Sequence, residues 1–256
     1  MKKKIVMLTT IFLICTFALT ACNANNSAKP TDIAESTSTE DIFISGSDST
    51  AANYLPITYY LPSPETEGLM SVEEALYNRR SRRNFQDTPL TIEQLSQLLW
   101  AAYGISDGNR LRTAPSAGAL YPLEIYVAVG NVIGIEPGLY RYIPQAHKIV
   151  RTLDRDIRAD LSVAALNQTM VRDAPIVIIY TAVFDRVASR YGERGLQRYV
   201  FMEIGHSAQN VYLQATALGL GTCAIGAFVD ERVSEILELP ADEAPLYIMP
   251  IGYYYR

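Results

Sequence analysis

The run PIVIIYTAVF, residues 175–184, is apolar at almost every position and rich in β-branched residues. A half-exposed strand would alternate apolar with polar. An unbroken apolar run of this length reads as a buried strand, and a buried strand has to be covered. The chain around it supplies them in irregular order. SVEEALYNRR carries Ser71 with Glu74 three residues on, and TIEQLSQLLWAAYG carries Thr91 with Gln94, both capping-box patterns that open helices. Ile92, Leu95, Leu98, Leu99 and Ala102 then follow helical spacing, and Gly104 is expected to close that helix in a left-handed conformation. DIRADLSVAAL and DERVSEILEL read as helices. Residues 196–218 form the longest helical pattern, with Val200, Ile204, Ala208, Val211, Ala215 and Leu218 on one side. EIYVAVG, GLYRYI, HKIVRTL, TCAIGAF and PLYIMPIGYYY read as strands. No regular strand–helix–strand spacing links them, so the expected class is an α+β sandwich.

The first 53 residues are not expected to join that core. Lys2, Lys3 and Lys4 precede an apolar stretch over residues 5–19, too short to span a bilayer comfortably, and the stretch ends in LTAC. That ending resembles the lipobox of bacterial lipoproteins. The resemblance implies a signal peptide over residues 1–21, cleavage before Cys22 and lipid on the Cys22 sulfur. The chain would then be anchored at the bacterial cell membrane on its extracytoplasmic side. Residues 23–53 are rich in Ser, Thr, Asn and Ala and hold few large apolar side chains, so they cannot offset their ordering entropy. Residues 22–53 are expected to be a flexible tether and residues 54–256 one domain with a real core.

Cys15 leaves with the signal and Cys22 is taken by lipid, which excludes an intrachain disulfide and leaves Cys223, in an apolar strand, as a buried inert thiol. The formal charge falls from −5 to −8 when the three lysines leave, a balance that excludes nucleic acid as partner. The only histidines, His147 and His206, are far apart and without cysteine neighbours, so no metal site is expected. GLGTCA, residues 219–224, superficially matches a dinucleotide turn. A helix precedes it and a strand follows, the reverse of what that turn needs, so its glycines are expected to end the helix and allow close backbone approach.

Against this acidic background, RRSRRNF at residues 79–85 collects four arginines around one serine. Taken alone, it reads as a solvated helix end, where the dipole favours cations. An arginine fork with a serine hydroxyl also fits a phosphate. RTAPSAGALYPLEIYVAV, residues 112–129, places Pro115, Ser116, Ala117 and Gly118 directly before a strand, where backbone N–H groups could come close to a flat ligand with polar edges.

RRSRRNF, TAPSAGALYPLEIYV, YGERGLQRYVFMEIGHSAQNVYLQATALGLGTCAIGAF and PIGYYYR occur in the order found in the nitroreductase-like FMN flavoproteins. The chain resembles most the SagB-type dehydrogenase branch, over about residues 70–256. The resemblance implies a mostly antiparallel sheet sandwiched by helices, an intertwined homodimer, and FMN at the dimer interface. It implies that Arg79, Ser81 and Arg83, joined by Arg80, hold the phosphate and ribityl chain. Pro115, Ser116, Ala117 and Gly118 would line the ring and ribityl chain, Gly226 would lie near the flavin N5 edge, and Arg256 would reach the phosphate. Gln209 and Asn210 fall in its helix motif, where packing and ligand contact both remain open. Azole-forming members place a Lys–Tyr pair before that helix; here the pair is Arg190–Tyr191. Arginine stays charged and cannot serve as base, so Tyr191 remains as proton donor or relay and azoline oxidation is not carried over. The activity implied is hydride exchange between flavin N5 and a small-molecule or peptide substrate. A flavin- or peptide-binding accessory lipoprotein without turnover is the alternative.

Overall fold

A computed structural model of the chain describes residues 56–108 and 110–255. The expected signal peptide over 1–21, Cys22, the tether to residue 53 and Arg256 lie outside the described residues.

Seven strands form one sheet: β1 (Thr58–Tyr60), β2 (Leu123–Val129), β3 (Gly138–Ile143), β4 (Lys148–Leu153), β5 (Ile176–Val183), β6 (Gly221–Thr222) and β7 (Glu243–Gly252). Their spatial order is β1-β4-β3-β2-β5-β7-β6, and every neighbouring pair is antiparallel. The apolar run of residues 175–184 holds β5, between β2 and β7. Ile176, Ile178, Tyr180 and Ala182 pack with α2 (Ile92–Tyr103) and α6 (Val200–Ala217) in one core cluster. Val177 and Ile179 pack with α3 (Arg158–Ala164), α4 (Met170–Asp173) and α7 (Asp230–Leu237) in the other. Because the strand is covered on both faces, its polar alternation is gone.

Caps fix the helices that carry the site. Ser71 Oγ accepts the Glu74 N–H at the start of α1 (Val72–Asn78). Thr91 and Gln94 form the full reciprocal box at α2. Gly104 corrects the sequence expectation. It lies at φ −68°, ψ 165°, extended rather than left-handed. Glycine is needed there for a different reason: a Cβ would lie 2.3 Å from Trp100 Cδ1. Gly219 does take the left-handed conformation, at φ +72°, and ends α6. The strand expected over TCAIGAF shortens to Gly221–Thr222 with a single further pairing, Ile225 to Ile248.

Two helices escape the sequence reading, the one-turn α4 and the helix that follows β5. α5 (Asp185–Arg194) buries only Val187, with Tyr191 half-buried one turn on, a stripe of two residues in an otherwise charged and polar segment. Gly192 breaks it at φ 52°, ψ −147°, and a π-turn over Gly195–Tyr199 leads into α6.

Candidate functional site

Residues 79–85 leave α1 as extended chain wedged between β6 and the end of the molecule. Ser81 pairs in parallel with Thr222, the Arg82 N–H donates to Thr222 O at 2.9 Å, and Phe85 pairs with Tyr254. Phe85 is buried in the second core cluster and anchors the segment. Extended chain sends successive side chains to opposite sides. Arg79, Ser81 and Arg83 thus fall on one side, and Arg80 and Arg82 on the other.

The contacts follow that division. The Arg79 guanidinium lies 5.1 Å from the centre of the Tyr212 ring, and Ser81 Oγ is 3.0 Å from Tyr212 Oη. Tyr212 Oη also accepts the Ala224 N–H at 2.8 Å. Burial pushes the Cys223 thiol up to about 11, and the nearby Arg83 charge pulls it down. On the opposite side Arg82 stacks on Tyr254 at 4.5 Å. Arg80 donates to Tyr77 O and Arg79 O at 2.9 and 2.7 Å, closing the end of α1. It lines a separate cleft with Arg82, Asn78 and Leu220. None of the four arginines has a carboxylate partner among the described residues. Beside Ser81, the buried Thr222 Oγ1 has no hydrogen-bond partner. A Cβ at Gly221 would come within 2.6 Å of Arg82 Cβ, so only glycine lets the two segments lie this close. Gly226 is exposed, four residues beyond Thr222, or about 13 Å along extended chain.

Pro115, Ser116, Ala117 and Gly118 form a second group. Ser116 Oγ accepts the Tyr121 N–H at 2.9 Å. Gly118, Ala119 and Tyr121 take φ of 62°, 53° and 51°, three left-handed residues within four positions. Two of them carry a Cβ, and each such residue costs roughly 1–2 kcal/mol. Tyr191 and Arg190 of α5 press on this turn: a Cβ at Gly118 would sit 2.8 Å from Tyr191 Oη and 3.1 Å from Arg190 Nη1. The Tyr191 ring meets Tyr199 edge-on at 5.0 Å. Beneath the turn, Glu203 of α6 is 2 % exposed and accepts from the Tyr103 hydroxyl. Burial raises its carboxyl above the ordinary range, against the pull of Ser116, Tyr103 and Arg112. Asn210 Nδ2 donates to Thr113 O at 3.0 Å and so holds the approach to the turn. Gln209, beside it, is half-buried.

The structure thus gathers Arg79, Ser81 and Arg83 at one place, with Gly226 further along the chain beside Tyr247, and Pro115–Gly118 with Tyr191 at another. Helix α6 runs between them. Tyr212 serves the first group and Glu203 the second; nine residues of helix separate them by about 13 Å. The sequence reading did not single out Tyr212, Glu203, Tyr103 or Arg112. A signal existed for Glu203: it lies three residues after Val200 and one before Ile204, on the buried stripe of α6. A lone carboxylate on such a stripe needs a partner. Among the described residues, no helix is long and apolar enough to cross a membrane.

The nitroreductase family pattern matches residues 76–253. MJ1384 of Methanocaldococcus jannaschii, which carries a nitroreductase name, is 50 % identical over 195 residues, covering 76 % of this chain and 96 % of its own. The trifolitoxin-processing protein TfxB of Rhizobium leguminosarum is 35 % identical over 141 residues, 52 % of this chain; the match spans 37 % of TfxB. An FMN reductase (NADPH) of Bacillus subtilis is 25 % identical, covering 70 % of this chain and 64 % of its own. Among solved structures, a protein of Ralstonia eutropha described as a nitroreductase superposes with TM-score 0.66 and 30 % identity, covering 78 % of this chain and 90 % of its own. One of Anabaena variabilis superposes at 0.70 with 32 % identity, covering 78 % of this chain but 42 % of its own.

Proposed function

This chain belongs to the nitroreductase family, and we propose that it works as an FMN-dependent oxidoreductase acting on a small-molecule or peptide substrate. The observation that carries the reading is the set Arg79, Ser81 and Arg83: three phosphate-type donors on one side of an extended segment, with no carboxylate to neutralise the arginines among the described residues. Two guanidinium forks and a hydroxyl match a phosphate dianion in charge and in donor geometry. The unpartnered Thr222 Oγ1 is a further polar atom at the same place.

When bound, FMN supplies hydride exchange at N5. The residues of the chain do the rest. Arg79, Ser81 and Arg83 grip the phosphate. Tyr212 holds Ser81 and the Ala224 backbone together, which keeps that grip in register with Gly226. Pro115, Ser116, Ala117 and Gly118 offer a small-residue surface and close backbone approach to the ring. Tyr191, against Gly118, is placed to give or relay a proton to a substrate lying on that surface.

The distance between the two groups favours a site completed by a second copy. Exposed apolar side chains on α1 (Val72, Leu76, Tyr77) and on α6 (Phe201, Met202) give a homodimer surface to bury. Lipid on Cys22 would hold the enzyme at the outer face of a bacterial membrane, a proposal that rests on the LTAC sequence. Purified chain reconstituted with FMN and desalted is expected to keep the visible flavin absorbance. A colourless protein would overturn the cofactor assignment. Membrane fractionation of Cys22→Ser in a bacterial host tests the anchor, which predicts release from the membrane.

A further inference from the structure

Beside the Pro115–Gly118 turn lies a cleft of about 280 Å³ whose lining includes Arg112, Arg141, Arg186, Glu124, Tyr103 and Tyr142. Glu124 is the one carboxylate of that lining, and it is shared. Its Oε2 pairs with Arg141 at 2.9 Å and its Oε1 with Arg186 at 2.5 Å. Arg186 also donates to Tyr121 O at 3.0 Å. Arg112 has no carboxylate partner among the described residues and stacks on the Tyr103 and Tyr121 rings at 4.1 and 4.6 Å. One carboxylate of the lining therefore faces three guanidinium groups, in a chain whose overall charge is −5; behind the lining, the buried Glu243, which accepts from the Tyr126 and Thr181 hydroxyls, also acts on Arg141. Glu203 is the other carboxyl that acts on Arg112. It is held by the Tyr103 hydroxyl and shifted toward its neutral form by burial.

We propose that this cleft is a subsite for the carboxylate of the substrate. Guanidinium forks take a carboxylate bidentately, and Arg112, held against the Tyr103 and Tyr121 rings, loses little freedom in doing so. The volume takes an acidic head group and is too small for a nucleotide. α5 joins the cleft to the turn. Arg186 reaches the cleft, and Arg190, one helical turn or about 6 Å on, reaches Gly118. An acid seated on Arg112 would extend toward the Gly118–Tyr191 wall. The word substrate rests on the flavin reading; the binding of a carboxylate does not.

The test is calorimetric titration of the full chain, with and without FMN, using succinate, tri-alanine and tri-alanine amide. Binding of at least one of the two acids is expected, weakening as NaCl rises, with no binding of the amide. Succinate binding would mark a free small acid as the source, and tri-alanine binding a peptide C-terminus. Arg112→Gln should weaken the acid by about tenfold or more. Glu124→Gln, which removes the competing carboxylate, should tighten it several-fold. These opposite signs separate a binding role from general damage to the fold. Equal binding of acid and amide, no binding of either acid, or unchanged affinity in Arg112→Gln at native FMN content would each overturn the proposal. A protein that takes no FMN yet binds acid through Arg112 would refute the flavin reading alone.

Discussion

Tyr212 on the sheet-covering helix α6 ties the arginine segment to the strand beside it through Ser81. The two hydroxyls are 3.0 Å apart, and Tyr212 Oη accepts the Ala224 N–H at 2.8 Å. Since that oxygen accepts from the backbone, its own proton is free for Ser81. Tyr212→Phe leaves both Ser81 and the Ala224 N–H unpaired. It should lower the unfolding free energy by about 1–2 kcal/mol and weaken FMN binding. Chemical denaturation and flavin titration check the two effects separately.

The alternation of the arginine segment predicts unequal roles for neighbouring arginines. Arg79→Ala with Arg83→Ala should weaken FMN binding by tenfold or more, each lost charge-assisted bond counting about 1.5–3 kcal/mol. Arg82→Ala removes only the stacking on Tyr254, so FMN affinity should stay within a few-fold. Equal losses in both proteins would refute the assignment of sides. Fluorescence titration of free flavin measures them.

The turn before β2 predicts a pair of opposite effects. Gly118→Ala puts a Cβ at φ +62° and 2.8 Å from Tyr191 Oη, and should destabilise by more than about 1 kcal/mol while disturbing Tyr191. Ala119→Gly relieves a left-handed alanine at φ 53° and should be neutral or stabilising by up to about 1 kcal/mol. Thermal unfolding of the two variants decides it.

His147 sets a pH dependence. Pro62 O can only accept, so Nε2 carries the proton toward it at 2.9 Å and Nδ1 accepts from Tyr142 at 2.8 Å. Ser96 Oγ also contacts Nε2, at 2.7 Å. Burial holds the ring below its ordinary 6.5. The unfolded chain then binds the proton more readily than the folded one. The stability that neutral His147 provides is present above about pH 6.5 and is lost as pH falls below it. Denaturation midpoints from pH 8 down to 5 should fall, and His147→Gln should flatten the profile.

Cys223 is fully buried, and its thiol is pushed up to about 11 by that burial. Iodoacetamide at neutral pH should leave it unmodified in the native protein and label it once the chain is unfolded. Mass spectrometry of the two samples tests this.

Much of the fold was legible in the residues. The β5 run announced a buried strand, the Thr91–Gln94 box opened α2 where its pattern said it would, and the apolar stripe of residues 196–218 became α6. These are local signals whose period matches the element. α5 was not read, because its core-facing stripe is only Val187 and Tyr191 among charged and polar residues. Its Arg186, Arg190 and Tyr191 matter through what they touch on another segment. Gly104 was misread for a related reason: its requirement comes from the Trp100 ring and not from its own backbone angle.

By itself the sequence determined the family, most of the longer elements and the residue types of the proposed phosphate grip, because spacing and motif order are one-dimensional properties. Only the tertiary structure decided which arginines share a side. Local charge cannot distinguish Arg79 and Arg83 from Arg80 and Arg82; the pairing of Ser81 with Thr222 does. It also brought Tyr212 to Ser81 and Tyr191 to Gly118, and gathered Arg112, Arg141 and Arg186 around one carboxylate. Those relations join residues tens of positions apart, and only packing across the sheet and α6 creates them.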